Sequence, residues 1–305
     1  MIGIVGSSGF IGTFLSNSLE GTVGISMRNE NWQDELKNKN IIINLVGKAH
    51  DHEGNSTKKD YEHINVDLTK ELFKVFIKSE ACLFIHVSSI AAIEEFESED
   101  IITEQSLCNP QSWYGKSKLE ADNWLMKQTL PDHKKMIILR PPMVHGPGDK
   151  GNLQLLFRLI SKGIPNPLAS FDNKRSFISI YNFTFFIEQV IGKKDQIISG
   201  LYNIADDESI STREIIDEIK RISGRKGINL YVPRFLIKTI AKLGDIIPLP
   251  LNSNRFRKMT GNLIVSNSKI KKMLELESIP LSAKQGLIKT LLSLDNTYRK
   301  TKTNL

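Results

Sequence analysis

The stretch MIGIVGSSGFIG at positions 1–12 decides the fold of this chain. Ile2–Val5 is predicted to be a buried strand, and the glycines Gly6, Gly9 and Gly12 follow it just before a helical pattern begins. A glycine-rich turn between a strand and a helix lets the backbone approach a phosphate group, whose charge then lies at the free amide donors of the helix. The spacing therefore predicts a phosphate-binding turn, and a tight glycine turn without a ligand is the alternative.

Apolar runs and amphipathic stretches alternate over the first two-thirds of the chain, a pattern typical of a parallel sheet covered by helices. The further predicted strands are Thr22–Met27, Ile41–Val46, Cys82–Val87 and Met136–Leu139. Pro141 and Pro142 lack backbone donors, so we expect the chain to leave the sheet there. Further on, Ser211 and Glu214 form a predicted capping box that opens a C-terminal helix. The expected fold class is α/β with a doubly wound parallel sheet.

Charge is distributed unevenly along the 305 residues. Positions 1–212 hold 22 basic and 27 acidic residues, whereas positions 213–305 hold 19 and 7, a balance of +12. A basic C-terminal third attracts an anionic membrane surface or a phosphorylated small molecule, unless it is only a solvated surface. We expect no nucleic-acid partner, because no binding motif or aromatic stacking pattern accompanies the charge.

One apolar stretch, Phe235–Ile247, carries Lys238 and Lys242 one helical turn apart. Packing on the protein itself is the favoured interpretation of this stretch, and a weak association with a membrane surface is the alternative. No run approaches the roughly 18 apolar residues that a membrane span requires.

The cellular compartment is predicted from the cysteines and from the first residues. Cys82 and Cys108 lack the spacing of a metal site and are expected to be free thiols in a reducing environment. The first residues show neither a basic leader nor a cleavage site. We therefore expect a cytoplasmic protein.

Two further motifs carry candidate chemistry. Tyr114 and Lys118 are four residues apart and share one face of a helix. A phenol has a reference pKa near ~10, and a neighbouring ammonium group is expected to lower it. Ser88 and Ser89 stand at the end of the fourth predicted strand, where doubly wound sheets bind ligands.

In this order and at these separations, the three motifs resemble the extended short-chain dehydrogenase/reductase family, in particular its nucleotide-sugar epimerase, dehydratase and 4-ketoreductase branch. Ser89 precedes Tyr114 by the 25 residues that are typical of the family. Further matching pieces are NLVG at 44–47, NV at 65–66, LRPPMVHGPG at 139–148 and YNIADDESISTREI at 202–215.

The resemblance implies a Rossmann-type doubly wound sheet with a smaller C-terminal substrate-binding lobe. The expected NAD(P)-binding domain covers residues 1–145, with returning segments at about 176–205. The expected lobe and tail cover residues 146–175 and 206–305.

The resemblance also implies the roles of individual residues. Tyr114 would be the general acid or base at the sugar hydroxyl or ketone, Lys118 would hold the nicotinamide ribose, and Ser89 would hydrogen-bond the reacting oxygen. The residues implied around the cofactor are Gly6, Gly9, Phe10, Ile11, Gly12, Val46, Gly47, Lys48, Asn65 and Pro141. Asn152 and Arg175 match positions that hold the nucleotide end of the substrate, and a guanidinium suits a diphosphate.

The cofactor is predicted from the end of the second strand. Arg28 stands there and suits a ribose 2′-phosphate, so NADP(H) is favoured over NAD(H). Glu30, two residues on, is the residue that could instead bind the 2′-hydroxyl of NAD(H).

Three functions follow from the resemblance. The favoured one is an NADP(H)-dependent reductase of the C4 ketone of a nucleotide-linked, UDP-type 6-deoxy-N-acetylhexosamine in surface-polysaccharide precursor synthesis. An NAD-dependent nucleotide-sugar 4-epimerase of UDP-glucose or UDP-GlcNAc type is the alternative, and a non-catalytic cofactor-sensing protein is the third. A dehydratase is not expected, because the family's acidic pair beside the serine is replaced by Ile90–Ile93. The expected partners are a nucleotide-sugar substrate and a second copy of the chain.

Overall fold

Six parallel strands form the central sheet of the protein. A computed structural model describes residues 1–49, 56–149, 151–165, 171–224, 230, 232–247 and 251–303. The strands are β1 (Ile2–Val5), β2 (Thr22–Ile25), β3 (Ile41–Asn44), β4 (Leu83–Val87), β5 (Lys135–Arg140), β6 (Met143–His145), β7 (Phe177–Ser179) and β8 (Gly200–Asn203). The sheet order is β2-β1-β3-β4-β5-β8, and β6 and β7 form a separate parallel pair. Strand β2 is added on one side of β1, and the later strands are added on the other side, starting with β3. This reversal of the strand order confirms the doubly wound α/β fold.

Helices cover both faces of the sheet and continue beyond it. The helices of the described residues are α1 (Phe10–Ser18), α2 (Trp32–Lys37), α3 (Lys58–Glu62), α4 (Leu68–Lys78), α5 (Trp113–Met126), α6 (Asn152–Ser161), α7 (Ile180–Gly192), α8 (Thr212–Ser223), α9 (Arg234–Leu243), α10 (Ser253–Thr260), α11 (Ser268–Met273) and α12 (Ala283–Thr303). A π-helical turn, His63–Asp67, joins α3 to α4, and a 3-10 turn, Ile90–Ala92, follows β4. The predicted capping box is confirmed, because the Ser211 hydroxyl accepts from the Glu214 amide and the Glu214 carboxylate accepts from the Ser211 amide.

The pleat of the strands divides the core between the two faces of the sheet. Ile41 and Ile43 pack in one apolar cluster with α7, whereas Ile42 packs in a second cluster with α4. All three side chains are buried, as expected for a parallel sheet covered on both faces. This explains why β3, β4 and β5 have nearly continuous apolar sequences.

A third apolar cluster lies among α6, α8 and α12, and Phe157, Ile216 and Leu291 are among its most deeply buried members. These helices belong to the segments that we assigned to the smaller lobe. The boundaries of the two domains remain a prediction.

The predicted strands agree with the structure except at their ends. β2 ends at Ile25, three residues before Arg28, and β3 ends at Asn44. β5 ends at Arg140, directly before the two prolines that were expected to end it. The strand β8, which completes the sheet beside β5, was not predicted as a strand.

Candidate active site

A cavity of about 860 Å³ lies at the carboxyl ends of the central strands. Its walls are formed by the turn after β1, the segments after β3, β4 and β5, the N-terminal halves of α1 and α5, and side chains of α6, α8 and α10. Carboxyl ends of parallel strands meet at one edge of a sheet, and ligands bind in the crevice outside that edge. The cavity therefore lies at the edge of the sheet where proteins of this fold bind ligands.

The glycine turn passes directly beneath one end of the cavity. Gly6 has a φ of +87°, a conformation that favours glycine, and a Cβ atom on it would come within 3.0 Å of the backbone of Leu45. A Cβ atom on Gly12 would overlap the carbonyl oxygen of Gly6. The N-terminus of α1 thus lies bare against the cavity, and Gly6, Gly9, Phe10, Ile11 and Gly12 all line it. These residues fit the pyrophosphate of a dinucleotide, because no side chain separates it from the helix amides.

The segment after β3 is fixed by Asn65, which is fully buried. Its side-chain oxygen accepts from the Lys48 amide at 2.7 Å, and its side-chain nitrogen donates to the Lys48 carbonyl at 3.2 Å and to Ser117 Oγ at 2.8 Å. Gly47 lines the cavity, and a Cβ atom on it would lie 3.2 Å from Lys118 Nζ. In the part of the chain that the structure describes, Val46, Lys48 and Asn65 do not line the cavity, although they were expected around the cofactor. Asn65 therefore joins the segment after β3 to α5.

Ser89, Tyr114 and Lys118, the three residues expected to carry the chemistry, all line the cavity. The Ser89 hydroxyl is hydrogen-bonded to Tyr114, and it accepts from the Ala91 amide at 3.1 Å. Lys118 Nζ donates to the carbonyl of Val87 at 2.9 Å. Pro141 lines the same wall after β5. This geometry places a hydroxyl and a phenol side by side, with an ammonium group one helical turn further along.

Burial shifts the proton affinity of both groups. It raises the pKa of Tyr114 to about 12, although the hydrogen bond with Ser89 acts in the opposite direction. It lowers the pKa of Lys118 to about 8, although Asp122 acts in the opposite direction. Desolvation of the phenolate is thus the largest effect on Tyr114, and a lowering of its pKa by Lys118 remains a prediction.

Beneath Lys118 lies a buried polar cluster that the sequence analysis missed. Asp122, one turn further along α5, accepts from Arg140 Nε at 2.7 Å and from Ser88 Oγ at 2.8 Å. The other oxygen of Asp122 is 4.0 Å from Nε2 of His86, whose ring is fully buried. Burial raises the pKa of Asp122 and lowers that of His86. The four-residue spacing from Lys118 to Asp122 was the available signal, since it puts both on one helix face.

The start of α5 is held by Glu95, a residue to which the sequence analysis assigned no role. Ser112 caps the helix, and its amide and hydroxyl donate to the two carboxylate oxygens of Glu95 at 2.8 and 2.6 Å. Glu95 is buried and lines the cavity. It therefore fixes the turn of α5 from which Tyr114 projects.

The two residues expected to bind the nucleotide end of the substrate, Asn152 and Arg175, both line the cavity. Asn152 begins α6, and Arg175 precedes β7. The guanidinium of Arg175 donates to the carbonyls of Phe96 and Glu95, each at 2.8 Å, and its burial lowers its pKa to about 10. It remains charged, and it joins the segment after β4 to the segment before β7.

Arg28 stands apart from the other predicted site residues. It is exposed, lies in the turn after β2, and is absent from the described residues that line the cavity. Its amide donates to Ser26 Oγ at 3.3 Å. The three residues after β2, Ser26–Arg28, include no acidic side chain.

NAD(P)-dependent enzymes built on a doubly wound sheet are the class that this fold and cavity define. Within that class, the chain belongs to the NAD dependent epimerase/dehydratase family, whose sequence model matches residues 2–205. This membership confirms the predicted extended short-chain dehydrogenase/reductase family and an NAD(P)-dependent enzyme.

Known proteins resemble the chain over almost its whole length. A UDP-glucose 4-epimerase of Vibrio cholerae is 29% identical over 306 residues, covering 89% of this chain and 88% of that protein. The structure of a UDP-glucuronic acid 4-epimerase of Bacillus cereus, in complex with UDP-glucuronic acid and NAD, superposes with a TM-score of 0.76 at 19% identity, over 97% of this chain and 99% of that one. RMD from Pseudomonas aeruginosa, complexed with NADPH, gives a TM-score of 0.72 at 16% identity, over 97% of this chain and 100% of that one.

None of the helices in the described ranges is both long and apolar enough to cross a membrane.

Proposed function

We propose that the protein is an NAD-dependent 4-epimerase of a UDP-linked hexose. The observation that carries this proposal is the 29% identity with the Vibrio cholerae UDP-glucose 4-epimerase over 89% of the chain. The convergence of Ser89, Tyr114 and Lys118 in one cavity supports it. The reductase favoured by the sequence analysis becomes the second candidate, because its main support, Arg28, is absent from the described cavity lining.

In this proposal, different residues along the cavity bind the cofactor, bind the substrate and transfer the proton. The glycine turn holds the cofactor pyrophosphate at the N-terminus of α1, and Lys118 holds the nicotinamide ribose. The bound dinucleotide supplies hydride transfer at C4 of the sugar. Tyr114 takes the proton of the C4 hydroxyl and returns one, while Ser89 donates a hydrogen bond to the same oxygen. Asn152 and Arg175 bind the nucleotide end, with Arg175 kept charged as a diphosphate requires.

Tyr114 acts as a base only when its pKa falls from about 12 toward neutrality. A positive charge within about 4–6 Å of a phenol lowers its pKa. The chain offers Lys118 for this purpose, on the same face of α5 and with one hydrogen bond, to Val87, that it can exchange for a ligand hydroxyl. The proposed role of Lys118 is therefore both to hold the ribose and to make Tyr114 basic.

The second candidate is an NADP(H)-dependent reductase of a UDP-linked 4-keto-6-deoxy-N-acetylhexosamine. The observation that favours it is the end of β2, where Ser26–Arg28 offers an arginine and no acidic side chain. An acidic residue at that place binds the 2′-hydroxyl of NAD, whereas an arginine accommodates the 2′-phosphate of NADP. Reported complexes of structural neighbours contain either NAD or NADPH.

Two assays on the purified protein distinguish the epimerase from the reductase. The epimerase interconverts UDP-glucose and UDP-galactose, or the N-acetyl pair, without consuming added reductant, and it releases NAD when denatured. The reductase consumes NADPH in proportion to a 4-keto-6-deoxy substrate and interconverts neither pair. NADPH consumption without epimerisation would overturn the first proposal.

The role of Arg28 has its own test. Arg28→Ala, compared with Arg158→Ala at another exposed arginine, raises the Kd for NADPH but not for NADH if Arg28 binds the 2′-phosphate. Equal Kd values for NADPH in both variants would leave Arg28 as a surface charge.

The remaining expectations belong to the same proposal. The product would be used in surface-polysaccharide synthesis in the cytoplasm, and the enzyme would act as a homodimer. Static light scattering of the purified protein tests the dimer, since a monomer mass at micromolar concentration contradicts it.

A further inference from the structure

Helix α9 presents an apolar outer face to solvent. Its inner face is buried: Ala241 is fully buried, and Ile237, 1% exposed, lies in a small apolar cluster with residues of α10. On the outer face and in the turn that follows, six large apolar side chains are between 44% and 84% exposed. These residues, here called the outer stripe, are Phe235, Leu236, Ile240, Leu243, Ile246 and Ile247.

The sequence spacing arranges the outer stripe beside a row of positive charges. Leu236, Ile240 and Leu243 follow one another at steps of four and three residues, so they lie along one side of the helix. Lys238 and Lys242, both exposed and four residues apart, form a parallel row next to them. Across 232–260 the chain carries six basic residues and one acidic residue, Asp245.

We propose that α9 and the turn after it lie on an anionic lipid bilayer, with the outer stripe among the headgroups and the basic row against their phosphates. An interfacial helix of this kind combines exposed Phe, Leu and Ile on one face with Lys and Arg on the flank. Polybasic surfaces are drawn to anionic leaflets within a Debye length. An extended sheet of negative charge suits Lys238 and Lys242, which are exposed along the helix beside the outer stripe, and for this reason a bilayer is favoured here over a protein groove.

This contact would act close to the cavity. The inner face of α9 packs on Phe256 and Met259 of α10, and Lys258 and Met259 of α10 line the substrate end of the cavity. A bilayer under α9 would therefore be separated from the substrate by a single layer of helix. The proposal goes beyond the proposed function and does not depend on it.

The test is co-sedimentation of the full-length protein with vesicles of phosphatidylglycerol and phosphatidylcholine, compared with vesicles of phosphatidylcholine alone. The first variant is the triple substitution Leu236→Ser, Ile240→Ser, Leu243→Ser, and its control is Leu107→Ser with Ile198→Ser, which removes exposed apolar side chains elsewhere. The second variant is Lys238→Glu with Lys242→Glu. Its control is Lys74→Glu with Lys78→Glu, an exposed pair on α4 with the same spacing.

The wild-type protein is expected to sediment with the anionic vesicles at low salt and to be released by high salt. Both α9 variants should bind at least about tenfold less tightly, and neither control should. Circular dichroism verifies that each variant is folded, and turnover of a UDP-hexose in solution should be unchanged. Failure of the wild type to bind, or equal binding of variants and controls, would overturn the proposal. A smaller oligomer in the triple variant, measured by light scattering, would also overturn it, by identifying the outer stripe as a contact between protein chains.

Discussion

Burial favours the neutral form of both Tyr114 and Lys118, with opposite consequences for the reaction. Burial raises the pKa of Tyr114 to about 12 and lowers the pKa of Lys118 to about 8. At neutral pH the pair is therefore a phenol beside an ammonium group. A phenol with so high a pKa is a poor acid, and it serves as a base only after a nearby positive charge has lowered its pKa.

Removing the hydroxyl of Tyr114 tests its proposed role in proton transfer. Tyr114→Phe should lower kcat by at least about 100-fold, because the reacting C4 oxygen loses its proton donor and acceptor. The Kd for the dinucleotide should change little, because the glycine turn is untouched; both constants are measurable by turnover and fluorescence titration. Tyr181→Phe is the control, since its ring packs on Phe14 of α1. Wild-type turnover in Tyr114→Phe would remove the phenol from the mechanism.

At the scale of elements, α5 carries Tyr114 and Lys118 and is fixed at its start from a different part of the chain. The carboxylate of Glu95, which follows β4, accepts both hydrogen bonds that Ser112 donates. Arg175 in turn donates to the Glu95 carbonyl. The orientation of α5 thus depends on contacts made by Glu95 and Arg175, both of which also line the cavity.

Glu95→Ala should reduce the free energy of unfolding by about 1–3 kcal/mol, because the partly buried Ser112 amide and hydroxyl lose their acceptors. It should also lower kcat more than it raises KM, because Tyr114 is displaced while the substrate contacts remain. Glu95→Gln keeps one acceptor oxygen and should fall between the wild type and Glu95→Ala. Urea denaturation and steady-state kinetics measure both effects, with the exposed Glu97→Ala as control. Equal denaturation midpoints for Glu95→Ala and Glu97→Ala would contradict this role.

Sequence reasoning reached the elements whose signal is local. The apolar run of β1, the glycines after it and the four-residue step from Tyr114 to Lys118 are read along the chain itself. The contacts from Asp122 to Arg140 and from Glu95 to Ser112 were missed because each joins residues 17 or 18 positions apart, which only the folded chain brings together. β8 was missed because four residues, GLYN, carry too little pattern.

At the scale of the whole molecule, two buried groups give the stability opposite pH dependences. Burial raises the pKa of Asp206 to about 7, although it accepts hydrogen bonds from the Ser179 amide and from Asn182. Burial lowers the pKa of His145 to about 4, and its ring contacts Thr290 of α12. Between pH 4 and 7 the folded state holds a proton on Asp206 that the unfolded state releases, so this residue makes stability fall as pH rises. His145 does the reverse between pH 4 and 6.5.

Asp206→Asn removes the contribution of Asp206 to the pH dependence of stability. The free energy of unfolding of the variant, minus that of the wild type, should rise with pH between about 4.5 and 6.5 by up to about 1.4 kcal/mol per pH unit. Urea denaturation at several pH values measures this difference. Asp217→Asn, at an exposed carboxylate, is the control and should give a flat difference. A flat difference for Asp206→Asn as well would show that Asp206 titrates normally.

The pairing of β5 with β8 has a consequence for the folding of the protein during its synthesis on the ribosome. Ile137 in β5 pairs with Gly200 in β8, so the last strand of the sheet emerges long after its neighbour. At about 5–20 residues per second, β5 keeps an unpaired edge for roughly 3–12 seconds of synthesis. That edge carries the apolar run Met136–Leu139, which is the kind of surface that recruits a second nascent chain or a chaperone. A chain that stops before Gly200 would retain this edge permanently and aggregate.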